Sequence, residues 1–338
     1  MRIAVDAMGG DHAPGEIIRG AIEGLELVEG ATVVLVGRED AIRAELAKYD
    51  GWQGRVEIVH AGEVIGMDEP PIDAVRYKRD SSIVKMAKLV ADGSAQACIS
   101  AGNTGACAGA CQLKVKKLPG VHRAGIAVVI PSFHGPLVLC DVGANIAPRA
   151  DHLYQYGIMA CVYSQAVLGI KDPRVGIISI GEEDIKGTEL IKAAAELLKA
   201  DPQIRFVGNV EGRDLFRGIV DVVVCDGFVG NVVLKMVEAL AEGLIKTIGR
   251  ELAEEAPEMA QRFEPVVQRI WARHDYSEHG GAPLLGVRGV CIICHGSSGH
   301  RAIRNAVRVA GRYIHQNLNE RIAEGIARSG GVPAPSAH

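Results

Sequence analysis

The loop SAGNTG at residues 100–105 has the composition of an anion-binding site. It follows an apolar run at 95–99 that predicts a buried strand, and the small residues after it can open a helix. Glycines let the backbone approach a ligand, and the free N–H groups at a helix start point towards it. The loop has neither the lysine of GxxxxGK[ST] nor the GxGxxG pattern. A tight turn without a ligand is an equal alternative, in which Asn103 and Thr104 only cap the helix.

Two further side chains follow predicted strands and can do chemistry. Lys186 lies between an acidic run and a predicted helix start, where its ammonium can neutralise a phosphate or stabilise developing negative charge. The alternative is a surface lysine paired with Glu182 or Glu183. Asn231 lies at a strand-to-helix junction, where its amide either caps the helix or donates to a reacting carbonyl oxygen.

The acidic and sulfur-containing residues do not predict a metal centre. The run EED at 182–184 cannot all face one point in a strand or a helix, so it indicates surface charge rather than a Mg²⁺ site. Cys107 and Cys111 are one helical turn apart, but no nearby pair of ligands completes a zinc site. Cys291 and Cys294 have thioredoxin-like spacing within a predicted strand, where positions i and i+3 face opposite sides. We interpret all four as core thiols, and we predict no required metal and no cofactor.

The elements that must position these residues alternate between strands and helices. Apolar runs at 2–7, 31–36 and 56–60 predict strands, and helical periodicity at 16–27 and 40–48 separates them. This alternation is typical of the α/β class. It predicts a three-layer α/β/α architecture with a mostly parallel, doubly wound sheet.

Polar, glycine-containing loops follow at least five of the predicted strands. They span residues 9–12, 100–105, 141–145, 181–186 and 226–231, with 295–299 as a sixth candidate. Parallel strands place their carboxyl ends along one edge of a sheet, so we expect all of these loops to meet at that edge. The pattern therefore predicts a small anion or a phosphorylated ligand there.

Two long helical patterns complete the chain. Residues 73–92 form a basic helix, interpreted as a solvated face, with docking of an acidic partner as the alternative. Residues 232–273 are helical in pattern, with interruptions at Pro257 and Pro265, and project as an arm. The apolar face of this arm forms a dimer interface or lies on a membrane.

Length and charge restrict the class of protein. The chain has 338 residues, 48% of them hydrophobic, which is enough to bury a large core. Its net charge of −4 does not indicate a nucleic-acid-binding surface. We find no secretion signal and no uncharged apolar run of about 18 residues. The eight cysteines are scattered and are interpreted as reduced core residues, so a cytoplasmic location is expected. We interpret residues 1–328 as a single catalytic α/β domain with a helical arm at about 232–280. A disordered tail follows at 329–338.

Five motifs together closely resemble one known family. They are VDAMGGDHAP (5–14), ISAGNTGA (99–106), IGEEDIKG (180–187), CDGFVGN (225–231) and GAPLLGVRGVCIICHGSS (281–298). In this order they resemble the bacterial phosphate acyltransferases of phospholipid synthesis, over nearly the whole chain. The resemblance implies transfer of a fatty acyl group from acyl carrier protein to inorganic phosphate, which yields acyl phosphate.

The resemblance also implies a fold and partners. The fold would be similar to the isocitrate/isopropylmalate dehydrogenase and phosphotransacetylase folds. The protein would be a homodimer in peripheral contact with the membrane, where a glycerol-3-phosphate acyltransferase uses the product. The acidic carrier is expected to meet Arg76, Lys78 and Arg79, or the basic residues at 114–117.

In such a reaction phosphate attacks a thioester directly, so the protein must bind phosphate, orient it and stabilise a tetrahedral oxyanion. We expect the amides of Gly102, Asn103, Thr104 and Gly105 to hold the phosphate, with help from Lys186.

The carbonyl of the thioester is expected to contact a second group of residues. Asn231 and the neighbouring backbone at Gly230 would hold it, so that Lys186 and Asn231 are the catalytic pair. Asp141 and Asn145 would shape the substrate site.

Two other functions remain open at this point. A phosphotransacetylase would use short acyl-CoA, and a non-enzymatic scaffold would bind carrier protein without turnover. A metal-dependent dehydrogenase is disfavoured, because neither an acidic metal cluster nor a nucleotide fingerprint is found.

Overall fold

The computed structural model describes residues 1–255, 258, 263, 265–267 and 280–329. Strands β1 to β11 within these ranges are Arg2–Asp6, Thr32–Gly37, Val56–His60, Ala97–Ser100, Gly125–Ser132, Gly135–Cys140, Arg174–Ile178, Arg205–Val210, Val222–Val224, Ala282–Leu285 and Val290–Ile293. They form one sheet in the order β3-β2-β1-β4-β11-β10-β5-β6-β9-β7-β8. A single sheet therefore runs through the described chain.

Helices α1 to α10 cover the two faces of this sheet. They are Gly15–Leu25, Glu39–Leu46, Pro71–Tyr77, Ser82–Ala91, Thr104–Lys114, Ala150–Tyr163, Glu189–Ala200, Gly227–Glu255, His300–His315 and Leu318–Arg328. A π-helical turn, Ser164–Leu168, extends α6, and a 3₁₀ turn, Gly212–Phe216, follows β8.

The core lies in two apolar layers, one on each face of the sheet. In β1, for example, Ile3 and Val5 belong to one layer and Ala4 to the other, because successive side chains of a strand alternate between faces. Helices α1, α2, α6, α7, α9 and α10 cover the first layer, whereas α3, α4, α5 and α8 cover the second. The expected three-layer α/β/α class with a mostly parallel sheet is confirmed.

The direction of the strands reverses in the middle of the sheet. The pairs β11–β10, β10–β5 and β5–β6 are antiparallel, and the remaining neighbours are parallel. Three antiparallel steps leave β6, β9 and β7 running opposite to β1, β4 and β11. The carboxyl ends of these two groups consequently point to opposite edges, and the expectation that all glycine loops meet at one edge is wrong.

Two predicted helices are divided in the structure. The segment predicted as one helix at 73–92 breaks between α3 and α4, where Ser81 is extended and pairs with Glu63 while Asp80 accepts the N–H of Gly62. Residues 300 to about 327 have a helical pattern that predicts one closing helix, but the structure breaks it at Asn317, which adopts the left-handed conformation. In both places contacts and backbone geometry specific to the site override a continuous helical pattern.

The carboxyl-terminal half differs in two further ways from the prediction. Strand β10 was not expected, and α8 begins at Gly227, five residues before the predicted start at Val232. The far part of the predicted arm and nearly all of the tail at 329–338 lie outside the described residues. The single-domain interpretation of residues 1–328 stays a prediction.

Candidate active site

The structure divides the predicted site residues between two edges of the sheet. We call the loops after β6, β9 and β7 the β6–β7 edge, and those after β1, β4 and β11 the β1–β4 edge. The β6–β7 edge carries Asp141, Asn145, Lys186, Gly230 and Asn231. The β1–β4 edge carries the loop with Gly102, Asn103, Thr104 and Gly105. The sheet topology therefore places Lys186 and that glycine loop at opposite edges, and the prediction that they act together on one phosphate is not supported.

Asp141 organises the loop after β6. Its side chain is fully buried, and Oδ1 accepts the N–H groups of Ile126, Gly143 and Ala144 at 2.9–3.2 Å. Oδ2 accepts the N–H of Asn145 at 2.7 Å. Burial raises the pKa of Asp141, and these donors oppose that shift because they stabilise the carboxylate. Asp141 thus fixes the backbone of the loop after β6.

Asn145 connects this loop to three other parts of the molecule. Its Nδ2 group donates to the carbonyl oxygen of Ala124 at 2.7 Å and to the hydroxyl of Tyr156 at 2.8 Å. Its own carbonyl oxygen accepts the N–H of Gly227, the first residue of α8. The side-chain N–H groups of Asn145 are therefore used within the protein, where they and its carbonyl oxygen connect the start of β5, α6 and α8.

The start of α8 places Asn231 within the helix. Asp226 caps it, since its Oδ1 accepts the N–H groups of Phe228 and Val229 at 3.0 and 2.9 Å. The N–H of Gly230 donates to the carbonyl oxygen of Asp226, so this backbone amide is not free for a ligand as predicted. The group of this turn that can contact a substrate is the half-buried side chain of Asn231.

Gly230 and Gly143 allow the two loops to come together. A Cβ atom on Gly230 would overlap the carbonyl oxygen of Asp141, so only glycine fits against β6 here. Gly143 has a φ of +139°, which is strained for other residues, and its Cβ position lies 4.0 Å from the Cβ of Asn231. The loop after β6 is thereby brought against Asn231.

Lys186 lies on the exposed loop that follows β7, the strand next to β9. The alternative of a lysine paired with Glu182 or Glu183 does not match the ion pairs of this loop. Glu182 pairs with Arg213 at 3.5 Å, and Lys186 has no ion pair within the described ranges. Its ammonium is available for an external anion.

Residues of the β1–β4 edge are occupied by contacts within the fold. The N–H of Gly102 donates to Ser100 Oγ at 3.0 Å, and that hydroxyl donates to the buried carboxylate of Asp6 at 2.7 Å. Asn103 accepts the N–H of Ala106 as the cap of α5. Its Nδ2 donates to the carbonyl oxygens of Gly66, Met67 and Glu69. Gly102 and Asn103 therefore hold the loop, whereas Thr104 is exposed and Gly105 half-exposed at the start of α5.

An open groove of about 450 Å³ lies between α3 and α5. Its lining combines apolar and cationic side chains: Ile72, Val75, Arg76, Arg79, Gly109, Gln112, Leu113, Lys114 and Arg123. Sequence reasoning missed Arg123, because only the fold brings this position, two residues before β5, to the surface of the groove. Arg123 precedes Ala124, whose carbonyl oxygen is bound by Asn145, so the groove ends next to the β6–β7 edge.

The basic residues named from the sequence behave differently in the structure. Lys78 is paired with Glu69 at 2.6 Å, and Lys117 donates to the carbonyl oxygen of His122 at 2.8 Å. By contrast, in the part of the chain that the structure describes, the four cations of the groove have no acidic partner. They form a positive surface rather than internal ion pairs.

A carboxylate group near Lys186 was not expected from the sequence. Glu182, Glu211 and Asp214 have oxygen atoms within 4.8 Å of one another, but Arg213 pairs with Glu211 at 2.7 Å and with Glu182. Of the predicted acidic run, only Glu182 belongs to this group. The arginine neutralises part of its charge, and the cluster does not by itself make a metal centre.

The far end of the loop after β6 is fixed by a second polar group. Arg149 bonds both oxygens of the buried Asp151 and holds the pKa of that carboxyl below its usual range. His152 is buried beside it, and its Nδ1 accepts the N–H of Arg149 at 3.1 Å. Burial lowers the pKa of His152 from its ordinary 6.5 to about 4, despite the nearby carboxylate. The loop thus starts and ends on buried polar contacts.

Comparisons with known proteins agree with this architecture. The family model described as fatty acid synthesis protein matches residues 1–321. Phosphate acyltransferase of Heliobacterium modesticaldum is 49% identical over 331 residues, covering 96% of this chain and 98% of its own. Phosphate acyltransferase of Pelotomaculum thermopropionicum is 49% identical over 328 residues, covering 96% of this chain and 95% of its own. A phosphotransacetylase structure from Streptococcus pyogenes has a TM-score of 0.61 at 16% identity, covering 93% and 94%, and shows the shared fold.

The buried neutral state of His152 predicts a loss of stability in acid. Its folded pKa lies below the unfolded value, so between about 6.5 and 4 the unfolded chain binds more protons and stability falls as pH falls. The free energy of unfolding should drop by about 2 kcal/mol from this group between pH 7 and pH 5. Urea denaturation at pH 7 and at pH 5 measures this change in the free energy of unfolding. His152→Gln should remove this drop, and His134→Gln, at an exposed position, should keep it; an equal drop in His152→Gln would contradict the assignment.

Proposed function

The chain belongs to the phosphate acyltransferase family, and we propose that it takes the acyl group it transfers to phosphate from an acyl carrier protein. It is an enzyme of fatty acid and phospholipid synthesis. The donor, the residue roles and the assembly described below are parts of this proposal.

The observation that carries the residue assignment is that Lys186 and Asn231 lie in the segments that follow two adjacent strands. They follow β7 and β9 at the same edge, and Lys186 lacks an internal partner among the described residues. An ammonium group can hold a phosphate, and a carboxamide N–H can donate to the carbonyl oxygen of a thioester. We assign the phosphate to the Lys186 side of this edge and not to Gly102–Gly105, because that loop lies at the other edge.

In the reaction, a phosphate oxygen attacks the carbonyl carbon of the thioester. Lys186 holds the phosphate and reduces its charge, and the Nδ2 group of Asn231 donates to the carbonyl oxygen as it becomes an oxyanion. The carbon–sulfur bond then breaks, and the carrier leaves as a thiolate. Direct attack needs no covalent enzyme intermediate, so the work of the protein is binding and orientation.

Asp141, Asn145 and Gly230 support this arrangement without touching the reacting atoms. Asp141 fixes the loop after β6, and Asn145 fixes the first turn of α8 through its carbonyl oxygen. Gly230 lets this turn pack on β6. Together they hold Asn231 in one position, which is the condition for a preorganised oxyanion donor.

We assign the carrier protein to the groove between α3 and α5. Arg76, Arg79, Lys114 and Arg123 offer four unpaired cations to an acidic partner. Ile72 and Leu113, exposed by 58% and 62%, offer apolar contact. Since the groove ends next to the β6–β7 edge, a carrier seated there can deliver its acyl group to Lys186 and Asn231. Lys78 and Lys117 are engaged within the protein and are not part of this surface.

A second copy of the chain is the partner we assign to α8. Six exposed apolar residues recur every four positions along it and form what we call the α8 stripe: Phe228, Val232, Met236, Leu240, Leu244 and Ile248. An apolar strip of this length on one helix is typical of an interface rather than of free surface. A homodimer would bury it.

Peripheral membrane contact completes the proposal. Among the described residues no helix is both long enough and apolar enough to cross a bilayer. An acyl phosphate carries an acyl chain and a charged head, and its release at a membrane surface would place it near a glycerol-3-phosphate acyltransferase. Vesicle flotation of the purified protein tests this contact.

The donor and the catalytic pair are tested in one assay. Palmitoyl-carrier protein is incubated with and without inorganic phosphate, and acyl phosphate is trapped with hydroxylamine. We expect phosphate-dependent hydroxamate, and Lys186→Ala or Asn231→Ala should lower kcat about 100- to 1000-fold because each removes a donor to developing charge.

Lys192→Ala is the matched control, since Lys192 is a lysine on α7 paired with Glu189. It should turn over normally. Near-normal kcat in Lys186→Ala or Asn231→Ala would overturn the residue assignment. Turnover of acetyl-CoA without carrier binding would identify a phosphotransacetylase, and carrier binding without turnover would identify a scaffold.

Charge reversal tests the carrier groove. Arg79→Glu and Arg123→Glu should each raise the KM for acyl carrier about tenfold, equivalent to 1.4 kcal/mol, and leave kcat unchanged. The effect should shrink at high salt, because exposed charges are screened. Arg38→Glu, at an exposed arginine before α2, is the control. An unchanged KM in both groove variants would reject this docking surface.

The α8 stripe is tested by its effect on assembly. Leu240→Glu combined with Leu244→Glu places two charges in the middle of the stripe and should convert a dimer into a monomer in sedimentation experiments. Glu242→Gln, about 200° around the helix from Leu240, should leave the dimer intact. A wild-type chain that sediments as a monomer would contradict the assignment.

A further inference from the structure

Three cysteines from three different elements converge in the core layer beneath α5. Cys98 lies in β4, Cys111 in α5 and Cys291 in β11, and all three are buried. Their sulfur atoms lie within 4.8 Å of one another, and those of Cys98 and Cys111 are 3.8 Å apart. This cluster is separate from both edges of the sheet and has no part in the proposed acyl transfer.

The backbone explains the convergence. Strands β4 and β11 are parallel neighbours, and Cys98 is paired in register with Cys291. Paired residues of adjacent strands point to the same face, and α5 packs on that face with Cys111 turned inward. The three sulfur atoms are consequently held by two strands and a helix, which are more rigid supports than loops.

The distances suit a bound metal ion. Three thiolates at about 2.3 Å from one ion in a trigonal arrangement are about 4.0 Å apart. The sulfur atoms of Cys98 and Cys111 are 3.8 Å apart, and all three lie within 4.8 Å of one another. Thiolates select soft ions such as Zn²⁺ and Cu⁺ over Mg²⁺ or Ca²⁺, which need oxygen ligands. The core layer that contains the three thiols is made of buried hydrophobic residues, Ala87, Val90 and Ile293 among them, and it offers no oxygen ligands for a hard cation.

We propose that Cys98, Cys111 and Cys291 form a binding site for a soft metal ion of the zinc class. A divalent ion M²⁺ binds three thiols as M²⁺ + 3 RSH → [M(SR)₃]⁻ + 3 H⁺, without oxidation or reduction. The ion replaces three protons that buried thiols otherwise retain. Its effect is to join β4, β11 and α5 at one point, and so to fix the helix whose surface lines the carrier groove.

Cadmium is the probe, because cadmium thiolates absorb in the ultraviolet and carboxylate-bound cadmium does not. The full-length reduced protein is titrated with Cd²⁺ directly and, since the thiols are buried, also after refolding in its presence. We expect a charge-transfer band that saturates at one equivalent and a rise in Tm with Cd²⁺ or Zn²⁺. Both should vanish in Cys111→Ala and in Cys291→Ala.

Cys161→Ala is the matched control, since Cys161 is a buried cysteine on α6 in the opposite core layer. It should keep the band and the Tm shift. Circular dichroism verifies that each variant is folded, and two variants are used so that one unstable protein does not decide the result. No band after direct addition and after refolding, or an undiminished band in folded Cys111→Ala or Cys291→Ala, would overturn the proposal.

Discussion

The buried carboxylate of Asp141 is the interaction on which the rest of the β6–β7 edge depends. A carboxylate without partners in the core would cost several kcal/mol, so the chain after β6 must turn its N–H groups towards it. The turn requires Gly143 at positive φ and ends at Asn145, whose carbonyl oxygen receives the first N–H of α8. The position of Asn231 is thus decided by a side chain that never reaches the surface.

Much of the fold could be predicted because strands and helices alternate with clear periodicity. The apolar runs of β1 to β3 and the glycines that follow them are local signals. Strand β10, by contrast, is the short run Ala282–Leu285, and nothing local marks it as antiparallel. Its two antiparallel pairings cancel, so β5 runs in the same direction as β11 and the reversal arises in the step from β5 to β6. A parallel-sheet argument overlooks that step, and it therefore placed all the glycine loops at one edge.

The candidate site was predictable to the extent that it depends on strand-end loops. Lys186 and Asn231 were singled out this way, and their catalytic roles stay a prediction. The cap of α8 was not predictable in the same way, because Asp226 rather than Asn231 accepts the first N–H groups of the helix. Arg123 and the thiol cluster left no signal in the sequence. Cys98 and Cys291 become neighbours only through the register of two strands that lie far apart along the chain.

The geometry of the α8 stripe has a consequence for how it can be covered. Residues spaced by four in a helix advance by about 40° at each step, so from Phe228 to Ile248 the stripe winds by about 200° over roughly 30 Å. A helix packed on such a row crosses at about −50° and contacts only its middle turns. One copy of α8 against another therefore leaves the two ends of the stripe, on opposite sides of the helix, free to contact something else.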